Sequence, residues 1–519
     1  MFIYLRRLAT TGAAYTASSI ASKLLAVVLL PLYTRYLSPS DYGAAEVMLA
    51  AVITASIFIR FGMIEAILRF YYLPDVPRRD VVGTGFAALL WTSTVAAAIG
   101  LALADPISTA LLGHSDAALA RIAIAGLWAL TLWEYVLALL RVEERARAYF
   151  TITVANVLVT IPLTVWLVVF ERDGANGLLI ATYVTVFPFI AFRLWEERRR
   201  LRLIPERGLL RRMARFGVPT MPAELSLYSL NFIDRIVLVR TSGLAAAGLY
   251  ALAVKFAQGM NVIARAFQLA WPPLAYSITD DDEARKAYAL VFTWFTAVCA
   301  FAVTGFWLLG PWIVRLLAAP AYFGAHRALP LLATGIALYA LYLVQVIILG
   351  RTGRTELSIP ATIAGTVVNI ALNLALVPPL GIVGAGLALV ASYLVILAIT
   401  YVLTQRLFAV PYEWGRLALA VGLAAGLSLV GELALPDDGL AVVPRVALWL
   451  AYPLLLTAAG FLTAEERTEL RALLRPRAVM ARLRRLRAAP EPEPEPGAEP
   501  DLAYGSEAYE ATLRDEDSR

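Results

Sequence analysis

Cysteine, histidine and lysine are nearly absent from this chain, and charge of either sign is scarce. Cys299 is the one cysteine among 519 residues, so neither a disulfide framework nor a cysteine-based metal site can be built. The two histidines, His114 and His326, stand far apart with no second ligand nearby, and no His/Cys/carboxylate group has metal-ligand spacing. A G-x-x-x-x-G-K-[ST] phosphate loop is missing, which excludes ATP hydrolysis by that route. No Ser-His-Asp set can be assembled either. Charged residues make up 16% of the chain, against about 25% in an ordinary soluble domain. These absences leave no expected cofactor or metal. If the protein consumes energy, a proton or sodium gradient, or the substrate gradient itself, must supply it.

What is present is apolar. Hydrophobic residues reach 60%, with a mean hydropathy of +0.70. A membrane span needs roughly 20 mostly apolar residues. By that rule an all-α polytopic membrane protein of about fourteen spans is expected, at 10–33, 43–66, 81–104, 117–140, 149–170, 175–195, 215–239, 245–275, 286–310, 326–349, 356–377, 382–404, 414–435 and 440–462. The first run is too long for a signal-peptide core and reads as a retained span.

Arginine then orients the chain. Loops after even-numbered spans carry Arg69, Arg78 and Arg79; Arg141, Arg145 and Arg147; Arg198 to Arg200 and on to Arg212; Arg351, Arg354 and Arg406. The opposite loops hold isolated cations such as Arg35, Arg121, Arg172 and Arg240. This bias predicts a multi-pass protein of the cytoplasmic membrane with both termini cytoplasmic. The net charge of +6 is therefore a matter of topology and not a nucleic-acid signal.

An offset of 205 residues aligns Gly12 with Gly217, Arg35 with Arg240, Gly43 with Gly248, Arg60 with Arg265 and Tyr71 with Tyr276. Two parallel six-helix bundles are expected, 1–200 and 201–410, with the basic loop Glu196–Arg215 as their seam and the site between the repeats. Residues 411–463 add two spans. Residues 464–489 read as a basic amphipathic segment on the anionic inner leaflet, and 490–519 as a disordered acidic Pro/Glu tail.

A charged side chain at membrane depth normally faces a water-filled cavity or a partner. Two of the three lysines, Lys23 and Lys255, lie inside spans. Lys255, Gln258, Asn261 and Arg265 fall within about a 120° arc of one continuous helix. Span seven contributes Pro219, Pro222, Glu224, Asn231, Asp234 and Arg235, and its prolines predict a kinked or unwound turn. Glu46 and Arg60 share a face of span two. The functional reading is a cationic cavity lined by Lys23, Arg60, Lys255 and Arg265, suited to phosphate oxygens. Glu46, Glu224 and Asp234 act as counter-charges or ion-coupling groups, with Asn231, Gln258 and Asn261 as further polar lining. The bland reading is a set of internal ion pairs, Glu46 with Lys23 or Asp234 with Lys255.

Phe216-Gly-Val-Pro-Thr-Met-Pro222, Ile233-Asp-Arg235, Ala247-Gly-Leu-Tyr250 and Lys255-Phe256 resemble a polysaccharide or O-antigen flippase. Leu37-Ser-Pro-Ser-Asp-Tyr-Gly43, Phe61-Gly62 and Arg69-Phe-Tyr71 are the matching pieces of the first half. That family belongs to the multidrug/oligosaccharidyl-lipid/polysaccharide (MOP) exporter superfamily, and the resemblance covers roughly residues 10–410. It implies two bundles that open alternately to either side and move a polyprenyl-diphosphate-linked oligosaccharide outward. The cationic cavity would meet the head while the lipid tail stays in the bilayer. Membrane lipids, and a polysaccharide polymerase with its chain-length machinery, would be the partners. Spans thirteen and fourteen depart from a twelve-span core and are closer to the layout of lipid II flippases. Three alternatives remain: a cation-coupled multidrug extruder of the same fold, which would favour an acidic cavity; a membrane glycosyltransferase, which would need carboxylates in a sizeable outer loop; and a non-transporting scaffold for a synthesis complex.

Overall fold

The computed structural model describes residues 30–229, 232–464 and 466–468. Everything described is helix or connecting turn, and twelve helices are long and apolar enough to cross a membrane. The chain is a multi-pass membrane protein. Most of the expected first span, with Lys23, lies outside the described residues, as do Asn231 and the segment beyond Thr468.

The first half comprises α1 (Pro39–Arg60), α2 (Met63–Phe70), α3 (Arg78–Ala102), α4 (Ala104–Leu112), α5 (Ala117–Val142), α6 (Ala146–Val165), α7 (Gly174–Val184) and α8 (Phe187–Glu196). A strap follows and leads into α9 (Arg207–Gly217) and α10 (Met221–Ser229). The second half continues with α11 (Ile233–Ala257), α12 (Met260–Ser277), α13 (Asp281–Leu317), α14 (Leu329–Arg351), α15 (Ser358–Leu380) and α16 (Ile382–Leu407). Two added helices, α17 (Trp414–Ala434) and α18 (Val442–Ala458), pack along α13, where Trp449 Nε1 donates to the Phe301 carbonyl at 2.9 Å. From Thr457 the chain forms a separate compact unit. Within it Thr463 and Glu466 exchange side-chain-to-backbone hydrogen bonds at 2.8 and 3.2 Å, a capping box.

Local chemistry sets these boundaries. Ser38 and Asp41 form a capping box at the start of α1, and Asp116 and Asp280 cap α5 and α13. Phe61 (φ 37°) and Gly62 (φ 70°) both take left-handed backbone and end α1 sharply. The paired prolines of span seven do unwind it: Val218–Thr220 is a 3-10 turn between α9 and α10.

Three differences from expectation bear on the site. Span seven is not one helix over 215–239; it is broken into α9, α10 and the first turns of α11, whose helical run turns at Gly243 (φ 85°, ψ 172°) into span eight. Span eight is itself interrupted by the turn at Gln258–Gly259 between α11 and α12. The polar arc drawn through Lys255, Gln258, Asn261 and Arg265 assumed one continuous helix; the turn interrupts that helix while Gln258 and Gly259 both keep right-handed helical backbone. Finally, the strap packs on the first half as far as Gly217. Arg202 pairs with Asp80 at 2.6 Å, Trp91 Nε1 donates to the Leu203 carbonyl at 2.7 Å, and Leu209 and Met213 enter the first half's core. The chain therefore crosses to the second half at Val218–Thr220 and not within the basic loop.

Apolar packing divides the molecule unequally. At the arginine-poor end one core draws on both halves, with Tyr42 and Val47 packed among Leu238, Tyr250 and Leu329. Towards the arginine-rich end there are two cores, one from residues 63–213 and one from residues 260–417. The halves share one apolar core at one end and keep separate apolar cores at the other.

Candidate functional site

Closure at the arginine-poor end comes from backbone contact. The Cβ that Gly43 lacks would lie 2.1 Å from the Leu244 carbonyl oxygen, and that of Gly248 would lie 2.0 Å from the Pro39 carbonyl oxygen. Pro39 and Leu244, like Gly43 and Gly248, are 205 residues apart, so this contact has two-fold character. Tyr322 Oη donates to the Leu37 carbonyl at 3.1 Å and the Ala319 N–H to Thr34 Oγ1 at 3.1 Å. Arg240 donates to the Ala110 carbonyl at 2.6 Å, where the last carbonyls of α4 favour a cation.

One helical turn inward lies a buried ion cluster. Lys255 Nζ is 3.1 Å from Glu46 Oε1, and Arg235 Nη1 is 3.4 Å from Glu46 Oε2 and donates to the Glu46 carbonyl at 2.8 Å. The Arg235 N–H donates to Asp234 Oδ1 at 2.8 Å, and the Tyr250 hydroxyl donates to Asp234 Oδ2. Thus Lys255 is neutralised by Glu46 from the other half. Asp234 is occupied by Tyr250 and does not hold Lys255.

Arg60 lies fourteen residues beyond Glu46 on α1, about 21 Å away at 1.5 Å per residue. Its position in the last turn suits a cation. Nη2 donates to Glu224 Oε1 of the other half at 2.9 Å, Nη1 is 3.7 Å from Glu134 Oε2, and Nε donates to the Ser56 carbonyl at 3.3 Å. This group forms the wall of a partly open cavity of about 360 Å³ that reaches Arg141 of the arginine-rich end and is lined by Ser56, Arg60, Glu65, Glu134, Arg141, Glu224 and Tyr228. A backbone contact stands nearby: the Cβ that Gly62 lacks would meet the Gly217 carbonyl oxygen at 2.0 Å, which is why both positions are glycine.

Of the four expected cations, Lys23 lies outside the described residues and the other three stand in different settings. Arg60 and Glu224 meet in the cavity wall; Lys255, Glu46 and Asp234 form the separate cluster towards the closed end. Arg265 is exposed on α12 and makes no ion pair among the described residues, while Gln258 and Asn261 are half-buried beside the turn. Among its described lining the cavity holds two arginines and three glutamates. Glu134 was missed by the sequence reading, although a lone carboxylate within the apolar run 117–140 was the same kind of signal as Arg60. A second cavity, of about 470 Å³, lies among α13, α14, α16 and α17. Its lining is apolar apart from hydroxyls and Glu432, and it offers no cation to an anionic head.

The sequence profile described as polysaccharide biosynthesis protein matches residues 8–277, just over half of the chain. The chain belongs to this family. In fold, this polysaccharide biosynthesis protein is similar to the lipid II flippase MurJ in an inward closed conformation (TM-score 0.69, 12% identity, 87% of this chain and 98% of that one). It is also similar to an inward-facing multidrug resistance MATE family transporter of the MOP superfamily (TM-score 0.62, 18% identity, 74% and 93%). A MOP superfamily transporter from Pyrococcus furiosus aligns more loosely (TM-score 0.51, 16% identity, 77% and 94%). No significant match is found among curated protein sequences. The fold of this family member is thus the MOP exporter fold.

Proposed function

We propose that this protein is a carrier and not an enzyme: a flippase that moves a polyprenyl-diphosphate-linked oligosaccharide across the cytoplasmic membrane by alternating access, for export of a cell-surface polysaccharide. The observation that carries this reading is Arg60. Its guanidinium faces a partly open cavity, and its tightest partner is a carboxylate from the opposite half. A diphosphate entering there offers anionic oxygens that can accept from the guanidinium in place of the single Glu224 hydrogen bond. Exchanging Glu224 for substrate breaks a tie between the halves at the moment of loading. The arginine-rich end is then cytoplasmic, the Gly43–Gly248 contact is the closed outer gate, and the lipid tail stays in the bilayer. A polymerase and chain-length machinery would take the product.

The test is flipping of defined lipid-linked saccharides by purified protein in vesicles. Arg60→Ala should abolish it while the protein remains in the membrane; near-normal flipping would sink the reading. Dissipating proton and sodium gradients in the same vesicles asks whether an ion is coupled, and unchanged flipping would remove that part.

One observation favours a second reading, the cation-coupled multidrug extruder. Glu65, Glu134 and Glu224 outnumber Arg60 and Arg141 in the cavity lining, which suits a cationic compound. Against it stand the family and the exchangeable Arg60. Glu65→Gln with Glu134→Gln separates them: an extruder loses drug efflux, whereas a flippase keeps its anionic substrate.

A further inference from the structure

The strap between the halves carries a charge pattern that neither the cavity nor the fold accounts for. On α9, Leu209, Met213 and Gly217 face the first half and are buried, and Gly217 is locked against Gly62 by backbone contact. The opposite face presents Arg207, Arg211 and Arg215, spaced i, i+4, i+8 and therefore in one stripe. Like charges at this spacing work against the helix. The neighbouring cations are answered: Arg212 by Asp75 at 2.7 Å, Arg202 by Asp80 at 2.6 Å. The three of the stripe make no ion pair among the described residues, although Glu206 lies one residue ahead of them. Immediately before α9, Leu203 and Ile204 are 67% and 80% exposed, held outward while the Leu203 carbonyl is bonded to Trp91. An exposed apolar pair one turn from an uncompensated arginine stripe is the pattern of an element lying in a bilayer interface, apolar side chains in the acyl region and cations at the phosphates.

We propose that the Arg207–Arg211–Arg215 stripe is a binding surface for anionic phospholipid headgroups, with Leu203 and Ile204 as its acyl-facing wedge. A soluble phosphate would not explain the wedge, so the source is the leaflet itself. The strap is fastened to the first half up to Gly217, and the crossing at Val218–Thr220 follows at once. Headgroups bound there hold the first half in the leaflet while the second half moves. This inference needs the membrane placement only and does not depend on what the cavity carries.

The experiment is native mass spectrometry of the full-length protein released from bilayers of phosphatidylcholine mixed with phosphatidylglycerol. Wild type should retain phosphatidylglycerol preferentially. The triple variant R207Q/R211Q/R215Q should lose that preference by roughly tenfold or more, since each basic residue near an anionic surface contributes substantially. R207K/R211K/R215K, which keeps the charge, should retain most of it and shows that the helix still forms. The variant K286Q/R354Q/R406Q removes three cations from other loops of the arginine-rich end; an equal loss there would overturn the proposal in favour of overall charge. An unchanged preference in the arginine-to-glutamine triple of α9 overturns it outright. Displacement of the lipid by millimolar inorganic pyrophosphate in phosphatidylcholine-rich bilayers would overturn the leaflet as the source.

Discussion

Gly43 and Gly248 each occupy the space that a side chain on the other's helix would need. Adding a Cβ to either drives it to within about 2 Å of a carbonyl oxygen of the opposite half, a distance backbone cannot tolerate. The contact is made by residues of the same register in the two halves, and it lies at the end where the two halves share one core. It is a backbone-to-backbone closure between them.

Gly248→Val is therefore expected to part the halves at this end. Overpacking of this kind costs roughly 1–3 kcal/mol, enough to shift a two-state population about five- to a hundredfold. With Cys299 replaced by Ser and a single cysteine placed at Leu37, labelling by a membrane-impermeant thiol reagent should speed up accordingly. Unchanged labelling in both Gly43→Val and Gly248→Val would mean that this contact is not the gate.

Arg60 and Glu224 should be coupled more strongly than a surface pair. Both are largely shielded; removing Arg60 leaves Glu224 without its cation, and removing Glu224 leaves Arg60 with the more distant Glu134 alone. A double-mutant cycle of Arg60→Met and Glu224→Gln, read by thermal unfolding, is expected to give about 1–3 kcal/mol of interaction. A value near zero would show that the tie between the halves does not exist in the membrane.

These two relationships differ in how far they could be read from the chain alone. The spans, the arginine bias and the charged positions Arg60, Glu46 and Lys255 are local signals: an apolar run and a charge inside it. Who pairs with whom is not local. Glu224 reaches Arg60 across 164 residues, and Glu46 takes Lys255 and Arg235 where sequence reasoning offered Lys23. The turn at Gln258–Gly259 that interrupts the arc from Lys255 to Arg265 leaves hydropathy almost unaltered and so was not legible in the chain. The Gly43–Gly248 match was visible as an alignment; that the two glycines touch follows only from packing.

Glu46 is expected to matter more for stability than the lysine it holds. Glu46→Ala leaves Lys255 and Arg235 together with no carboxylate in side-chain contact with either, a change that costs about 3–5 kcal/mol when the site is buried. Lys255→Met removes one of the two cations and leaves Glu46 with Arg235, so its effect should be distinctly smaller. Melting temperatures in detergent or nanodiscs decide this, and an equal loss in both variants would refute the assignment of Glu46 as the shared anion.

Glu143, just beyond the end of α5, gives a pH dependence outside the spans. It is packed with Arg193, Arg200 and Glu197. Burial, with the Glu197 charge added, raises its carboxyl above the ordinary value of 4.5, although the Arg200 hydrogen bond pulls the other way. A carboxyl raised on folding binds its proton more tightly in the folded state than in the unfolded one. Its contribution to stability is therefore greatest below the unfolded value and is lost as pH rises through the folded one. Wild-type protein should lose melting temperature as pH climbs from about 4.5 towards neutrality by more than Glu143→Gln, which keeps an acceptor for Arg200 and has no proton to lose. Parallel melting curves for the two proteins across that range would show that Glu143 stays ionised among its arginines.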